Sequence, residues 1–113
     1  MAVYANISVD QGSDFTSNVT VEGSDGIVFN LTGYTVRGQI RKTYTSSTSI
    51  SFVSTIDVPS SGRITLVLTA ATTATMKPGR YVYDIEIVET LTGKITRVVE
   101  GQLEVNPRVT RVP

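Results

Sequence analysis

The chain contains no cysteine, histidine or tryptophan among its 113 residues. Without cysteine it has neither a disulfide framework nor a thiolate zinc site. Without histidine it lacks the commonest metal ligand and the usual general base of enzymes. We therefore expect a non-enzymatic protein that binds no cofactor and no metal.

An excess of either charge is also missing, since ten Lys and Arg residues balance ten Asp and Glu residues. A nucleic-acid surface needs Lys and Arg gathered on one face, and no segment gathers them. No apolar run approaches the roughly 20 residues that cross a bilayer, and the first residues lack the positive start of a secretory signal. We expect neither a nucleic-acid nor a membrane partner, and synthesis in the cytoplasm.

What the chain has in abundance is β-branched residues, with Thr, Val and Ile making up more than a third of it. Such side chains pack well on a pleated sheet. Short alternating segments separated by Gly, Ser, Asn and Asp turns predict seven to eight strands. The alanine-rich residues 69–76, which precede Pro78-Gly79, predict one short helical crossover. The fold class is therefore all-β, as an Ig-like antiparallel β-sandwich over residues 1–106, followed by an extended C-terminal arm at 107–113.

The tyrosines divide into core and surface candidates. Tyr81 directly follows the crossover, where Ig-like domains carry a corner tyrosine, and this favours a sandwich over a barrel. Tyr81 and Tyr83 share one strand face with two isoleucines, so we expect both in the core. Tyr44 lies in a loop of Ser and Thr residues at 43–49 and is the best candidate for an exposed aromatic ring.

Two carboxylates on one strand face are the only pattern that suggests catalysis. Asp84 and Glu86 lie two residues apart, so both carboxylates point the same way, as in a paired-carboxylate glycosidase site. Alternatively, the two carboxylates lie on a solvated outer face, where they form ion pairs with Lys94, Arg97 or Arg63 on neighbouring strands. We favour the ion pairs, because the chain supplies no nucleophile with an accompanying base.

Three aspartates in turns, Asp10, Asp14 and Asp25, could offer oxygen ligands to calcium. Aspartate is, however, an ordinary residue of glycine-containing turns. No spacing in the chain matches a 12-residue calcium loop. We interpret all three as turn residues.

Four segments, in their order and spacing, resemble a family of small virion proteins of tailed bacteriophages. They read GSDF at 12–15, NLTGYTVRGQIR at 30–41, LTAATT at 68–73 and PGRYVYD from 78, continuing through Arg97 to Gly101. The pattern is similar to the N-terminal domain of phage baseplate upper proteins. The resemblance implies a β-sandwich that assembles in many symmetric copies and has no catalytic residues. Because this sequence stops after the sandwich, we also expect capsid decoration or a neck position, besides the tail or baseplate.

The resulting hypothesis is a virion structural protein whose partners are other virion proteins and further copies of itself. Segments 3–9 and 108–112 would act as arms, although a frayed C-terminus explains the second equally well. Arginine is favoured at protein interfaces. The predicted interface residues are Arg37, Arg41, Tyr44, Arg80, Arg97, Arg108, Val109, Arg111 and Val112. The alternative is a carbohydrate- or receptor-binding Ig-like module displayed on the virion.

Overall fold

A computed structural model of the chain describes residues 3–23 and 26–109. In these two ranges the chain forms nine strands, one α-helix and one 3₁₀ turn. The strands are β1 (Val3–Tyr4), β2 (Ile7–Asp10), β3 (Phe15–Thr20), β4 (Tyr34–Arg41), β5 (Ile50–Ser51), β6 (Val53–Val58), β7 (Arg63–Leu68), β8 (Gly79–Glu89) and β9 (Ile95–Asn106). The helix α1 is Ala70–Thr75, and the 3₁₀ turn is Pro59–Ser61. The predicted all-β class is confirmed, and α1 lies within the predicted crossover at 69–76.

The strands form two sheets. The larger sheet has the order β1-β9-β8-β4-β5, with β2 also paired to β9, and the smaller sheet has the order β3-β7-β6. Both β1 and β2 run parallel to β9, whereas the other paired strands are antiparallel. The predicted antiparallel β-sandwich is thus observed except at this edge, where two short strands run parallel. Alternation along a strand determines which side chains face the core, but it carries no information on the direction of the neighbouring strand.

The core lies between the two sheets and is built by alternation on the long central strands. On β8, Tyr81, Tyr83, Ile85 and Ile87 point inward and are buried. The hydroxyl of Tyr81 donates a hydrogen bond to the carbonyl of Lys77 at 2.7 Å. This is the backbone contact that a corner tyrosine makes, and the prediction that both tyrosines lie in the core is confirmed.

The N-terminal segment belongs to the larger sheet. Its two strands are separated at Ala5, whose N–H donates to the carbonyl of Glu100 at 2.8 Å. The side-chain oxygen of Asn6 then accepts from the backbone N–H of Gln102 at 3.2 Å. Segment 3–9 therefore forms the edge of the chain's own sheet, which corrects its assignment as a projecting arm.

Helix α1 closes one end of the sandwich through side-chain hydrogen bonds. The Thr69 hydroxyl accepts from the backbone N–H of Thr72 at 3.3 Å, so Thr69 is the N-cap of the helix. Asp14, from the turn before β3, accepts from the N–H of Ala70 at 2.7 Å. The fully buried Thr73 is hydrogen-bonded to the same turn. The turn and the helix thus hold each other in place.

Beyond β9 the chain lies against this turn for a short distance. The N–H of Arg108 donates to the side-chain oxygen of Gln11 at 3.3 Å, and the Arg108 side chain lies over Gly12. Arg108 is therefore partly packed on its own domain, and its role at an interface stays a prediction. Val109 is almost fully exposed. The other predicted arm residues, Arg111 and Val112, lie outside the described residues.

Candidate functional site on the outer face of the larger sheet

The outer face of the larger sheet carries a row of charged side chains across β4, β8 and β9. The strand register places Arg37 opposite Glu86, and Glu86 opposite Arg97. Glu86 faces outward because its neighbours Ile85 and Ile87 along β8 fill the core. The Nε of Arg37 donates to Oε1 of Glu86 at 3.0 Å. Glu86, one of the two carboxylates considered as a catalytic pair, is thus held in a cross-strand ion pair.

A second row lies beside the first and contains two like charges. Asp84 and Glu100 are directly opposite each other in the β8–β9 ladder, an arrangement that is unfavourable by itself. Arg97 offsets the repulsion, because its Nε lies 3.3 Å from the Asp84 carboxylate and its Nη1 lies 3.8 Å from that of Glu100. Of the ion-pair partners predicted for Asp84, Arg97 is confirmed. Arg63 instead pairs with Asp57 on the smaller sheet.

The register between β8 and β9 shifts next to this cluster. The ladder pairs Ile85 with Val99 but Glu86 with Arg97, so Val98 has no counterpart on β8. A bulge of this kind bends the strand and changes the direction of nearby side chains. Arg97 consequently lies opposite Glu86 in the register and yet forms its ion pair with Asp84.

The electrostatics of Asp84 follow from this crowding. Burial raises the pKa of the Asp84 carboxyl, and the neighbouring Glu86 carboxylate raises it as well. The Arg97 guanidinium lowers this pKa, Glu100 raises it, and Arg41 lowers it. The resulting pKa lies above the ordinary value of an aspartate, so desolvation and like charges outweigh the arginines.

Arg41, at the end of β4, anchors the loop that follows. Its Nη1 donates to the carbonyl of Ser46 at 2.7 Å, and its Nη2 donates to the side-chain oxygen of Gln39 at 3.1 Å. The loop at 43–49 is thereby held against the outer face of the sheet. It presents Tyr44, whose exposure of 80% confirms the prediction of a surface aromatic.

These residues surround an open concavity of about 260 Å³, here called the Tyr44 cleft. A second concavity of about 200 Å³ adjoins it over Arg37, Gly38 and Glu86. Gln39, Asp84 and Glu86 line both. Side chains that line the Tyr44 cleft include Gln39, Arg41, Tyr44, Asp84, Arg97 and Glu100.

The structure thus brings together four of the predicted interface residues and separates the others. Arg37, Arg41, Tyr44 and Arg97 surround the two concavities. Arg80 lies further along the outer face, with its Nη2 4.0 Å from the carboxylate of Glu104. Two participants were missed from the sequence, Gln39 and Glu100. Their outward positions in alternating strands were a weak signal, but only the register places them beside Asp84.

The two turn aspartates within the described residues, Asp10 and Asp14, have structural roles. Asp14 binds the first N–H of α1, and Asp10 accepts from the Asn106 side chain at 3.3 Å. Asp25 lies outside the described residues. Among residues 3–23 and 26–109, no group of three or more acidic side chains is placed to hold a metal ion. No helix in these same ranges is long and apolar enough to cross a membrane.

No protein-family model matches the chain, and no curated protein does. Solved structures similar to it include InlP of Listeria monocytogenes, at 14% identity and a TM-score of 0.49, covering 93% of this chain and 28% of that one. Another is a family 123 glycoside hydrolase from Clostridium perfringens, at 13% identity and a TM-score of 0.43, covering 94% of this chain and 23% of that one. The chain therefore spans less than a third of either protein. The fold and the site together define an all-β sandwich with a charged, open outer face.

Proposed function

We propose that the chain is a non-enzymatic structural protein of a bacteriophage particle. It assembles in multiple copies as a component of the capsid surface, neck, tail or baseplate, and it resides in the virion. The resemblance of its four sequence segments to phage virion proteins supports the particle as its location. The observation that carries the proposal is the ordered set of exposed arginine–carboxylate pairs across β4, β8 and β9.

A surface of this kind is well suited to form a protein–protein interface. Arginine offers several donors in a planar fork and is enriched where proteins meet. Isolated pairs at this exposure contribute little to stability. A subunit that removes water from them would strengthen the same pairs, because the effective dielectric constant falls.

The sheet edges offer a second means of assembly. In the smaller sheet, β3 and β6 each pair with β7 and with no other strand of residues 3–23 and 26–109. Backbone groups along the outer side of such an edge strand are available to a strand of a neighbouring subunit. On β6, Val53 is 58% exposed, which adds apolar area beside that edge.

The proposal gives Asp84 and Glu86 no catalytic task. Each carboxylate forms an ion pair with an arginine of a neighbouring strand, at 3.3 Å for Asp84 and 3.0 Å for Glu86. A general acid needs a proton to deliver, and a nucleophile needs a free oxygen. These side chains are therefore interpreted as parts of a contact surface.

The test is to find the chain in purified particles. Phage particles from producing cells are separated from soluble protein by density, and both fractions are analysed by quantitative mass spectrometry and by antibody labelling in electron micrographs. We expect the chain in the particle fraction, in several copies per particle. Recovery from the soluble fraction alone would overturn the proposal.

A matched pair of variants then tests the surface. Arg37→Glu reverses a charge on the outer face of the larger sheet, whereas Arg63→Glu does so on the smaller sheet. Among the described residues, the ion-pair partner of Arg37 is Glu86 and that of Arg63 is Asp57. We expect Arg37→Glu to lower incorporation into particles and Arg63→Glu to leave it near the wild-type level.

A displayed binding module is the second candidate. The observation that favours it is the exposed ring of Tyr44 at the edge of a polar concavity. Its ligand could be a carbohydrate or a receptor, and the chemistry of the cleft distinguishes between them.

A further inference from the structure

We propose that the Tyr44 cleft binds a neutral saccharide, with the tyrosine ring as a platform and Gln39, Arg97 and Glu100 as hydrogen-bonding groups. This site goes beyond the assembly role and does not depend on it. A free chain would present the cleft, whereas a subunit bound to the outer face of the larger sheet would cover it.

The platform is an exposed ring on an anchored loop. Tyr44 is 80% exposed. Arg41 binds the carbonyl of Ser46, and the Ser46 hydroxyl accepts from the backbone N–H of Thr43 at 3.1 Å. A loop held in this way loses less conformational entropy when a ligand binds to it. The apolar C–H face of a sugar ring can pack on the exposed aromatic ring that this loop carries.

Across the Tyr44 cleft and the adjoining concavity, three arginines balance three carboxylates, which favours a neutral ligand over an ionic one. Arg97 is shared between Asp84 and Glu100, so each charge has an opposite partner within 4 Å. Arg41 in the cleft and Arg37 in the adjoining concavity supply two further positive charges, and Glu86, which lines both, supplies one further negative charge. An anion or a cation would meet a repelling group beside each attracting one.

A neutral ligand whose polar groups are hydroxyls is not repelled by any of these charges. A hydroxyl both donates and accepts, whereas carboxylates only accept and guanidinium groups only donate. The side chains of Arg97 and Glu100 are 50% and 38% exposed, so both can reach a ligand without leaving their partner. Hydrogen bonds to charged partners are the stronger ones. A sugar with several hydroxyls can therefore bridge the donors and acceptors that alternate across the cleft.

The dimensions indicate a short ligand. The Tyr44 cleft measures about 260 Å³ and opens toward the adjoining concavity of about 200 Å³ beside Arg37. Pockets for drug-sized ligands begin at about 300 Å³. A single sugar ring fits the first concavity, and a second ring would extend over Gln39 toward Glu86. Disaccharides should therefore bind more tightly than their constituent monosaccharides.

The experiment is an NMR titration of the isotope-labelled full chain. The neutral probes are glucose, galactose, mannose and N-acetylglucosamine, together with maltose, cellobiose and lactose. Glucuronate and glucosamine serve as charged probes of the same ring size. We expect saturable shifts of the amides of Gln39, Asp84 and Glu100 with at least one neutral disaccharide, and weaker binding of the charged probes.

Variants separate the site from a general effect on folding. Tyr44→Ala should weaken binding about tenfold, in keeping with the loss of an aromatic contact, while Tyr44→Phe should retain it. Arg97→Ala should also weaken binding, and Arg63→Ala is its control. Both arginines place Nε 3.3 Å from an aspartate Oδ2, but Arg63 does so on the smaller sheet.

Three results would overturn the proposal that the Tyr44 cleft binds a neutral saccharide. The first is the absence of saturable shifts with every neutral probe. The second is equal loss of binding in Arg63→Ala and Arg97→Ala. The third is tighter binding of glucuronate or glucosamine than of any neutral sugar, which would make the cleft an ionic contact surface for a protein partner. None of these results bears on whether the chain is found in particles, so the two proposals fail independently.

Discussion

The carbonyl oxygen of Ala5 occupies the space where a Cβ atom on residue 101 would lie, and Gly101 is the residue that leaves this space open. The same carbonyl accepts a hydrogen bond from the Tyr83 hydroxyl at 2.6 Å. Ala5 lies between β1 and β2, so these contacts hold the N-terminal edge of the larger sheet on β9. The parallel pairing of that edge depends on a glycine nearly a hundred residues away.

Gly101→Ala should destabilise the protein strongly. The new methyl group would collide with the backbone of Ala5, which cannot rotate away as a flexible side chain can. We expect a loss of about 3 kcal/mol in the free energy of unfolding, at the upper end of the cost of overpacking. Gly93→Ala is the control, since Gly93 has a φ of 75° but open space around it, and backbone strain alone costs about 1 kcal/mol. Equal losses in urea denaturation would contradict the steric explanation.

Tyr83 should make the protein sensitive to alkali. Burial raises the pKa of Tyr83 to about 12, and the nearby Tyr4 phenol raises it as well. The unfolded chain loses this proton near pH 10, so the stability from the neutral phenol is complete below pH 10 and falls as the pH rises toward 12. About 2 kcal/mol should be lost by pH 12. In Tyr83→Phe this component should disappear from the pH dependence, and a wild-type-like decline in that variant would contradict the assignment.

Thr73 should be required for its hydroxyl more than for its shape. Its hydroxyl accepts from the N–H of Gly12 at 3.0 Å and donates to the carbonyl of Ser13 at 2.9 Å, and the Thr73 side chain has no exposed surface. Thr73→Val keeps the volume but removes both hydrogen bonds, which should cost about 2 kcal/mol. Thr75→Val on the exposed side of α1 should change stability by no more than about 0.5 kcal/mol. Thermal unfolding of both variants checks this, and equal effects would count against it.

Asp84→Asn should not destabilise the protein, although it removes an ion pair. The raised pKa of Asp84 means that its charged form is disfavoured in the folded state. The Asp84 carboxyl therefore stabilises the fold below its unfolded pKa near 3.8, where it is protonated. This stabilisation is lost as the pH rises through the higher pKa of the folded state. We therefore expect an unchanged or higher denaturation midpoint for the variant at pH 7. The comparison variant Asp57→Asn removes an exposed pair worth up to about 1 kcal/mol, and a larger loss for Asp84→Asn would refute the expectation.

Much of the fold could be predicted, because alternation and turn residues act locally. The core positions of Tyr81 and Tyr83, the exposure of Tyr44 and the short helix at 69–76 all follow from neighbours in sequence. The direction of the first strand does not. The alternation in segment 3–9 predicts a half-buried strand whichever strand it pairs with. Its pairing with β9 depends on the contacts of Ala5 with Gly101 and Tyr83, which no local sequence pattern predicts.

The candidate site could be predicted only in part, for a related reason. The outward position of Asp84 follows from period-two alternation, but its neighbours depend on strand register. The bulge at Val98 pairs Glu86 with Arg97 and leaves Asp84 opposite Glu100. Moving the register by one residue would change every one of these neighbours.

The sequence by itself determined the all-β class and the face of the sheet on which each β8 side chain lies, because β-branched composition and alternation act within a few residues. Its missing cysteine and histidine likewise exclude thiolate and imidazole chemistry without reference to any fold. Only the tertiary structure decided that the first strands run parallel to β9, and that Arg97 joins Asp84 to Glu100 beside Tyr44. Those relationships arise from contacts between distant segments, where close packing and register select one arrangement among several that the local pattern permits.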